Sequence, residues 1–176
     1  CSVRRQRQMC IRDRIQTNDF GPLISGDQRK RVMKYIKQGL SEGATLVCGG
    51  NEVNHRGYFI EPTIFTDVTG EMSIAKEEIF GPVLCIEKFS NESLEEIAKR
   101  ANKTTYGLSG SVWTNDISTG HKMAALIDSG QVSINCHAAV DSAIPFGGNK
   151  QSGWGREFGE EGLDSYLKTK ATTVMY

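Results

Sequence analysis

From Pro82 onward the chain alternates short apolar runs with amphipathic stretches, and this rhythm constrains its fold more than any other feature. Pro82 to Phe89 has strand character, and Ser90 to Lys103 carries an apolar stripe at helical spacing through Leu94, Ile97, Ala98 and Ala101. Ser109 to Thr114 returns to a strand, Asp116 to Ser129 is a second helix stopped at Gly130, and Gln131 to Asn135 is a third strand. Strands separated by whole helices pair in parallel after a crossover. The order therefore predicts an α/β fold, an open and mostly parallel twisted sheet with helices on both faces.

The preceding stretch is less regular. Ser25 with Gln28 three residues on has the form of a capping box ahead of a helix. Val32, Ile36 and Leu40 share one face of that helix, and Gly43 can end it in the left-handed conformation. Ala44 to Val47 is short and strand-like, and Tyr58 to Phe65 is aromatic and β-branched, with Pro62 demoting its middle to an edge or bulge. At the other end, Glu157 to Leu167 is predicted helical. Thr169 to Met175 alternates β-branched residues, as suits a C-terminal edge strand open to another subunit.

Charge and cysteine usage exclude several classes. The 21 basic and 21 acidic residues balance, which gives no reason to expect nucleic acid or an anionic membrane as partner. Residues 1–14 hold five arginines against Asp13, so the remaining chain has 16 basic and 20 acidic residues. That opening lacks caps, periodicity and the apolar stretch of a secretory signal, and reads as a non-native or disordered leader, the alternative being a basic targeting arm. The five cysteines (Cys1, Cys10, Cys48, Cys85, Cys136) form no CxxC pair, and His55, His121 and His137 form no HxxxH or HExxH pattern. An odd count without a secretory signal fits a reducing, cytoplasmic compartment, and no metal site is expected.

Two segments carry Gly and Pro beside side chains able to face a ligand. One is Lys76-Glu77-Glu78-Ile79-Phe80-Gly81-Pro82-Val83; the other is Pro145-Phe146-Gly147-Gly148-Asn149-Lys150-Gln151-Ser152-Gly153. Read locally, the first could equally be a surface helix end with one buried Phe. The second lies in a long glycine-rich break, residues 136–156, where an α/β sheet places its ligand loops.

Together with GPLI at 21–24, GYFIEPTIF at 57–65 and NKTTYGLSGSVWT at 102–114, these segments resemble, in order, the signatures of the aldehyde dehydrogenase family. The resemblance covers Gly21 to Tyr176. It implies that residues 15–167 are the C-terminal part of a catalytic domain and 168–176 an oligomerisation strand. It assigns Glu78 to the ribose of the nicotinamide half of NAD or NADP, and Phe80 to the nicotinamide ring. A carboxylate can accept from two ribose hydroxyls, and an aromatic face restricts where a ring can swing.

By the same resemblance, residues 136–146 line the mouth of an aldehyde tunnel, with His137, Ala138, Val140 and Phe146 as lining candidates. The loop is small and apolar apart from His137 and Asp141, which suits an uncharged aromatic or aliphatic aldehyde; the His-containing loop looks most like phenylacetaldehyde-type members. His137 could instead be an ordinary hydrogen-bonded loop histidine. Glu157 matches a family glutamate behind the active site, a proton-relay partner or else a helix-start acid favoured by the dipole. Lys150 matches a position whose backbone carbonyl helps hold a monovalent cation in some members.

The family attacks the aldehyde with a cysteine thiolate in a Gly-Gln-x-Cys setting, forms a thiohemiacetal, and releases the acid with a water activated by glutamate. Those groups precede GPLI in the family. Gln8-Met9-Cys10 echoes the spacing, but Arg7 and Ile11 flank it and it stands close to Gly21, so Cys10 is read as a decoy. No GxGxxG fingerprint occurs either. The 176-residue polypeptide is therefore expected to be inactive alone, and the resemblance separately implies a homo-oligomer through the C-terminal strand. Two alternatives stay open: a semialdehyde or betaine-aldehyde dehydrogenase segment, and a non-catalytic family member acting as a subunit-interaction module.

Overall fold

A computed structural model describes residues 20–53, 57–137 and 139–176. The leader at 1–14, Cys1, Cys10, His55 and Ala138 lie outside the described residues. The chain divides into two compact units, residues 1–90 and 91–176.

The first unit is built around α1 (Gly26–Ser41) and a three-stranded sheet of β1 (Thr45–Cys48), β2 (Thr63–Thr66) and β3 (Val83–Cys85). The Ser25 hydroxyl accepts from the Gln28 N–H and so starts α1 as expected. The helix ends in a Schellman arrangement: Gly43, at φ 99°, donates to Leu40, and Ala44 donates to Gly39. Val32 and Ile36 are almost fully buried, but Leu40 is 47% exposed. Four-residue steps advance 400° around a helix, so the stripe drifts, and Gly39 takes the inward place against Ile74.

β1 pairs antiparallel with β2, and β2 pairs parallel with β3. Residues 58–62 stay outside the strand expected at Tyr58 to Phe65, where Ile60 makes only an isolated bridge to Glu52. The crossover from β2 to β3 runs through the single turn α2 (Ser73–Lys76) and then through residues 77–82. Phe65, Ile74, Ile79, Val68 and Met72 join Val32 and Ile36 in one apolar core. The turn bearing Glu78 and Phe80 is thus rooted in the core through Ile79 and leads directly into β3.

The second unit contains α3 (Leu94–Ala101), β4 (Ser109–Val112), α4 (Ile117–Leu126) and β5 (Gln131–Ile134). Ser93 and Glu96 form a full capping box at the start of α3, and the Asp116 carboxylate caps α4 through the N–H groups of Ser118 and Thr119. β4 and β5 pair in parallel, with α4 packed on both strands, as the β–α–β rhythm predicts. Of the expected α3 stripe only Ala98 is fully buried, and Ala101 is exposed.

The α/β class holds, with the described strands distributed over one mixed and one parallel sheet. The helix expected at Glu157 to Leu167 is replaced by a turn and a short 3₁₀ segment, Leu163–Tyr166. Phe158 at φ 60° and Gly159 at φ 60° break any helix at its first turn. The edge strand expected at Thr169 to Met175 is not formed: residues 168–176 are exposed and join no ladder among the described residues. No helix among the described residues is long and apolar enough to cross a membrane.

Candidate functional site

The segment Glu77 to Pro82 forms a tight turn in which Phe80 adopts φ 55°. A bulky residue in the left-handed region persists only when its surroundings fix it. Two features fix this one. Ile79 is buried in the core, and side chains of α1 take hold of the backbone on either side of it. The Gln28 amide donates to the carbonyls of Ile79 (3.2 Å) and Phe80 (2.9 Å), and Arg31 donates to the carbonyl of Glu78 (3.2 Å). The capping box expected from Ser25 and Gln28 is therefore only half formed, because the Gln28 side chain reaches across the unit instead of back to its own helix.

Glu78 and Phe80, with Glu77, Ile74, Gly81, Val83 and Cys85, line a cleft of 380 Å³. The two glutamates differ in their surroundings. Glu77 accepts from the Tyr35 hydroxyl at 2.5 Å, a hydrogen bond that raises the tyrosine pKa above its ordinary value. Glu78 is exposed beside the Phe80 ring, itself 67% exposed. An anionic acceptor next to an accessible aromatic face fits a polyol carrying a flat ring. Burial raises the pKa of the Cys85 thiol at the cleft wall, so it stays protonated, consistent with a small core residue.

In the second unit the long loop leaves the carboxyl end of β5 and is tied down by a polar knot that sequence reasoning missed. Asn102, just past α3, accepts from the Asp128 N–H at 2.8 Å and donates to the Leu126 carbonyl at 2.8 Å. Lys150 reaches the Asn102 carbonyl (3.0 Å) and the Asp128 carboxylate (3.2 Å). Asn149 donates to Asp128, and Arg156 donates to Asn149 and to the Gly148 carbonyl. Hydrogen bonds from Asn149 and then Lys150 hold the Asp128 carboxyl below its ordinary pKa. Asn102, Asn149, Lys150 and Arg156 lie in the two motifs at 102–114 and 145–157, whereas Asp128 joins them from just past α4, where no motif marks it.

The other candidates are less concentrated. His137 shares a 2.8 Å hydrogen bond with Ser111 on β4, as the ordinary loop-histidine alternative requires. Val140 is 52% exposed, and its neighbour Ala139 is anchored to β5 by Gln131. Phe146 and Glu157 are brought together: each donates its N–H to the other's carbonyl at 2.7 Å. Glu157 also lines a 650 Å³ cleft with Arg156, Phe158 and Tyr166. The Lys150 backbone, at φ 53°, carries a carbonyl that accepts from Gly153 at 3.5 Å.

The sequence model of the aldehyde dehydrogenase family matches residues 3–172. The chain belongs to the aldehyde dehydrogenase family. It is similar to aldehyde dehydrogenase 1A1 of Oryctolagus cuniculus, with 48% identity over 88% of this chain and 31% of the rabbit protein. It is 46% identical to cytosolic 10-formyltetrahydrofolate dehydrogenase of Xenopus tropicalis, over 97% of this chain and 19% of that protein. Among solved structures it resembles a mutant indole-3-acetaldehyde dehydrogenase of P. syringae in complex with NAD+ and IAA. The TM-score is 0.83 at 42% identity, covering 89% of this chain and 31% of the other. The chain thus spans about a third, or less, of the length of these relatives.

Proposed function

We propose that residues 15–167 contribute the C-terminal part of the catalytic domain of an NAD(P)-dependent aldehyde dehydrogenase that oxidises an aldehyde to the carboxylic acid. The observation that carries this is the Glu77–Pro82 turn: an exposed carboxylate and an exposed aromatic ring on a backbone fixed in a strained conformation. In this role Glu78 accepts the ribose hydroxyls of the nicotinamide half, and Phe80 limits the swing of the nicotinamide ring. The nicotinamide, when bound, takes the hydride. The protein's own contribution here is to hold that ring in one place, which is an orientation effect.

The substrate we propose is an uncharged aromatic or aliphatic aldehyde. Support comes from the small apolar side chains of the loop at 136–146 and from likeness to an enzyme named for indole-3-acetaldehyde. His137, Ala138, Val140 and Phe146 would form one wall of its tunnel, and Glu157 would relay a proton behind it. The Lys150 carbonyl is the candidate ligand for a monovalent cation. Exposed Tyr166, Leu167, Val174 and Met175 support a homo-oligomer in which residues 168–176 pair with another subunit, in the cytoplasm.

The nucleophilic cysteine is assigned to a longer polypeptide and not to Cys10. The test is NAD-dependent turnover of phenylacetaldehyde by the purified 176-residue chain and by a full-length polypeptide containing it. Turnover by the full-length form alone is expected. Turnover by the short chain that disappears on Cys10→Ser would overturn the assignment.

A further inference from the structure

We propose that Asn135 is a positioning residue for the loop at 136–146, folding it back along the β4–β5 pair and so setting where Val140 stands. This rests on that loop being one wall of the aldehyde tunnel. The β4–β5 ladder ends at the pair Val112–Ile134, and the Asn135 N–H adds one more bond, to the Val112 carbonyl at 2.8 Å. In a parallel ladder the next rung would join both backbone groups of Thr114 to the chain beyond Ile134. The Asn135 side chain takes that rung instead. Its Oδ1 accepts from the Thr114 N–H and its Nδ2 donates to the Thr114 carbonyl, each at 2.9 Å. Thr114 is itself fixed at the start of α4, where its hydroxyl accepts from the Asp116 N–H.

With its side chain standing in for the strand, the Asn135 backbone is free to turn, and it does so at φ 56°. Asn enters the left-handed region more readily than most non-glycine residues. The chain beyond it runs back along the sheet. His137 bonds Ser111, whose ladder partner is Ser133, and the Ala139 carbonyl accepts from the side chain of Gln131, at the start of β5. A strand continuing straight from Gln131 would put residue 139 roughly 26 Å away. Asn135 is therefore the corner of the reversal. When its amide is removed, the corner opens and the loop spreads over several conformations, of which a fraction f presents Val140 as before. For an aldehyde that leans on this wall kcat/KM then falls in proportion to f, and an aldehyde too short to reach it is unaffected.

The experiment measures kcat/KM for phenylacetaldehyde and for acetaldehyde on the full-length polypeptide and reads their ratio. Asn135→Ala is expected to lower the ratio about tenfold, as two lost hydrogen bonds imply, with acetaldehyde within about twofold of wild type. Asn135→Gly accepts the left-handed backbone but has no amide, and the same fall is expected there. Asn135→Asp sets an oxygen against the Thr114 carbonyl and is expected to lower the ratio further. A merely structural role lowers both aldehydes alike, so an equal loss, or no loss, overturns the proposal. So does a wild-type ratio in Asn135→Gly, which would make the conformation decisive and not the amide.

Val140→Trp is run beside them as a direct change to the wall. An unchanged ratio in that variant sinks the tunnel reading itself. A changed ratio there, with none in Asn135→Ala, sinks only the positioning role. Should Asn135→Ala not fold, Asn135→Gly, free of the left-handed strain, carries the same comparison.

Discussion

Gly81 follows Phe80 at the point where the turn presses on α1, and a methyl group there has nowhere to go. A Cβ at position 81 would stand 2.6 Å and 2.8 Å from the two methyl carbons of Val32, which is 0% exposed. Carbon atoms pack at about 3.5–4.0 Å, so the turn must retreat by roughly 1 Å. Val32 cannot rotate aside, because a β-branched residue in a helix has one strongly preferred rotamer. Gly81→Ala should therefore cost about 1–3 kcal/mol, the range for overpacking a core.

Val32→Ala alone removes two buried methyl groups and leaves a void, costing roughly 2–3 kcal/mol. In the double variant the new methyl fills part of that void. The combined cost should then fall short of the sum by about 1–2 kcal/mol, as coupled neighbours do. Native-state hydrogen exchange of the α1 amides reads this unit's stability by itself. Additivity within about 0.5 kcal/mol would refute the packing of Gly81 on Val32.

Three further outcomes follow from particular contacts. Ser25→Ala removes the acceptor for the Gln28 N–H and should destabilise the first unit by about 1 kcal/mol, read by the same exchange measurement. Hydrogen bonds from Thr119 and Ser118 hold the Asp116 carboxyl below its ordinary pKa of 3.8. Its stabilisation is complete above that value and is lost as pH falls through the lower, folded-state pKa; Asp116→Asn should flatten this acid limb in a pH series of thermal melts, and an unchanged limb would place the titration elsewhere. Deleting residues 168–176 from the full-length polypeptide should lower its sedimentation mass, and an unchanged assembly would move the interface to other residues.

Much of the fold was legible because its signals are local. Asp116 before Ile117 and Gly43 after Glu42 each act within a few residues, and each marks a helix end in the structure. The apolar rhythm from Pro82 to Asn135 placed β3, α3, β4, α4 and β5 in order. What stayed hidden depends on contacts distant in sequence. Gln28 satisfied a local capping pattern, yet its amide bonds residues 51 and 52 positions away. Leu40 fitted a four-residue step that drifts off the buried face after two turns. The segment at 157–167 has helical composition, but Phe146 claims the backbone of Glu157 in a bridge, and the chain turns at Phe158. The knot of Asn102, Asp128, Asn149, Lys150 and Arg156 likewise joins polar residues that look unremarkable one at a time.

The central claim is that Glu78 and Phe80 hold the nicotinamide end of the cofactor. A crystal structure of the full-length polypeptide with NAD+ tests it most directly. The account predicts the Glu78 carboxylate at about 3 Å from the ribose hydroxyls, with the Phe80 ring against the nicotinamide and the turn still gripped by Gln28. A ribose held by other residues, with Glu78 facing solvent, would contradict it.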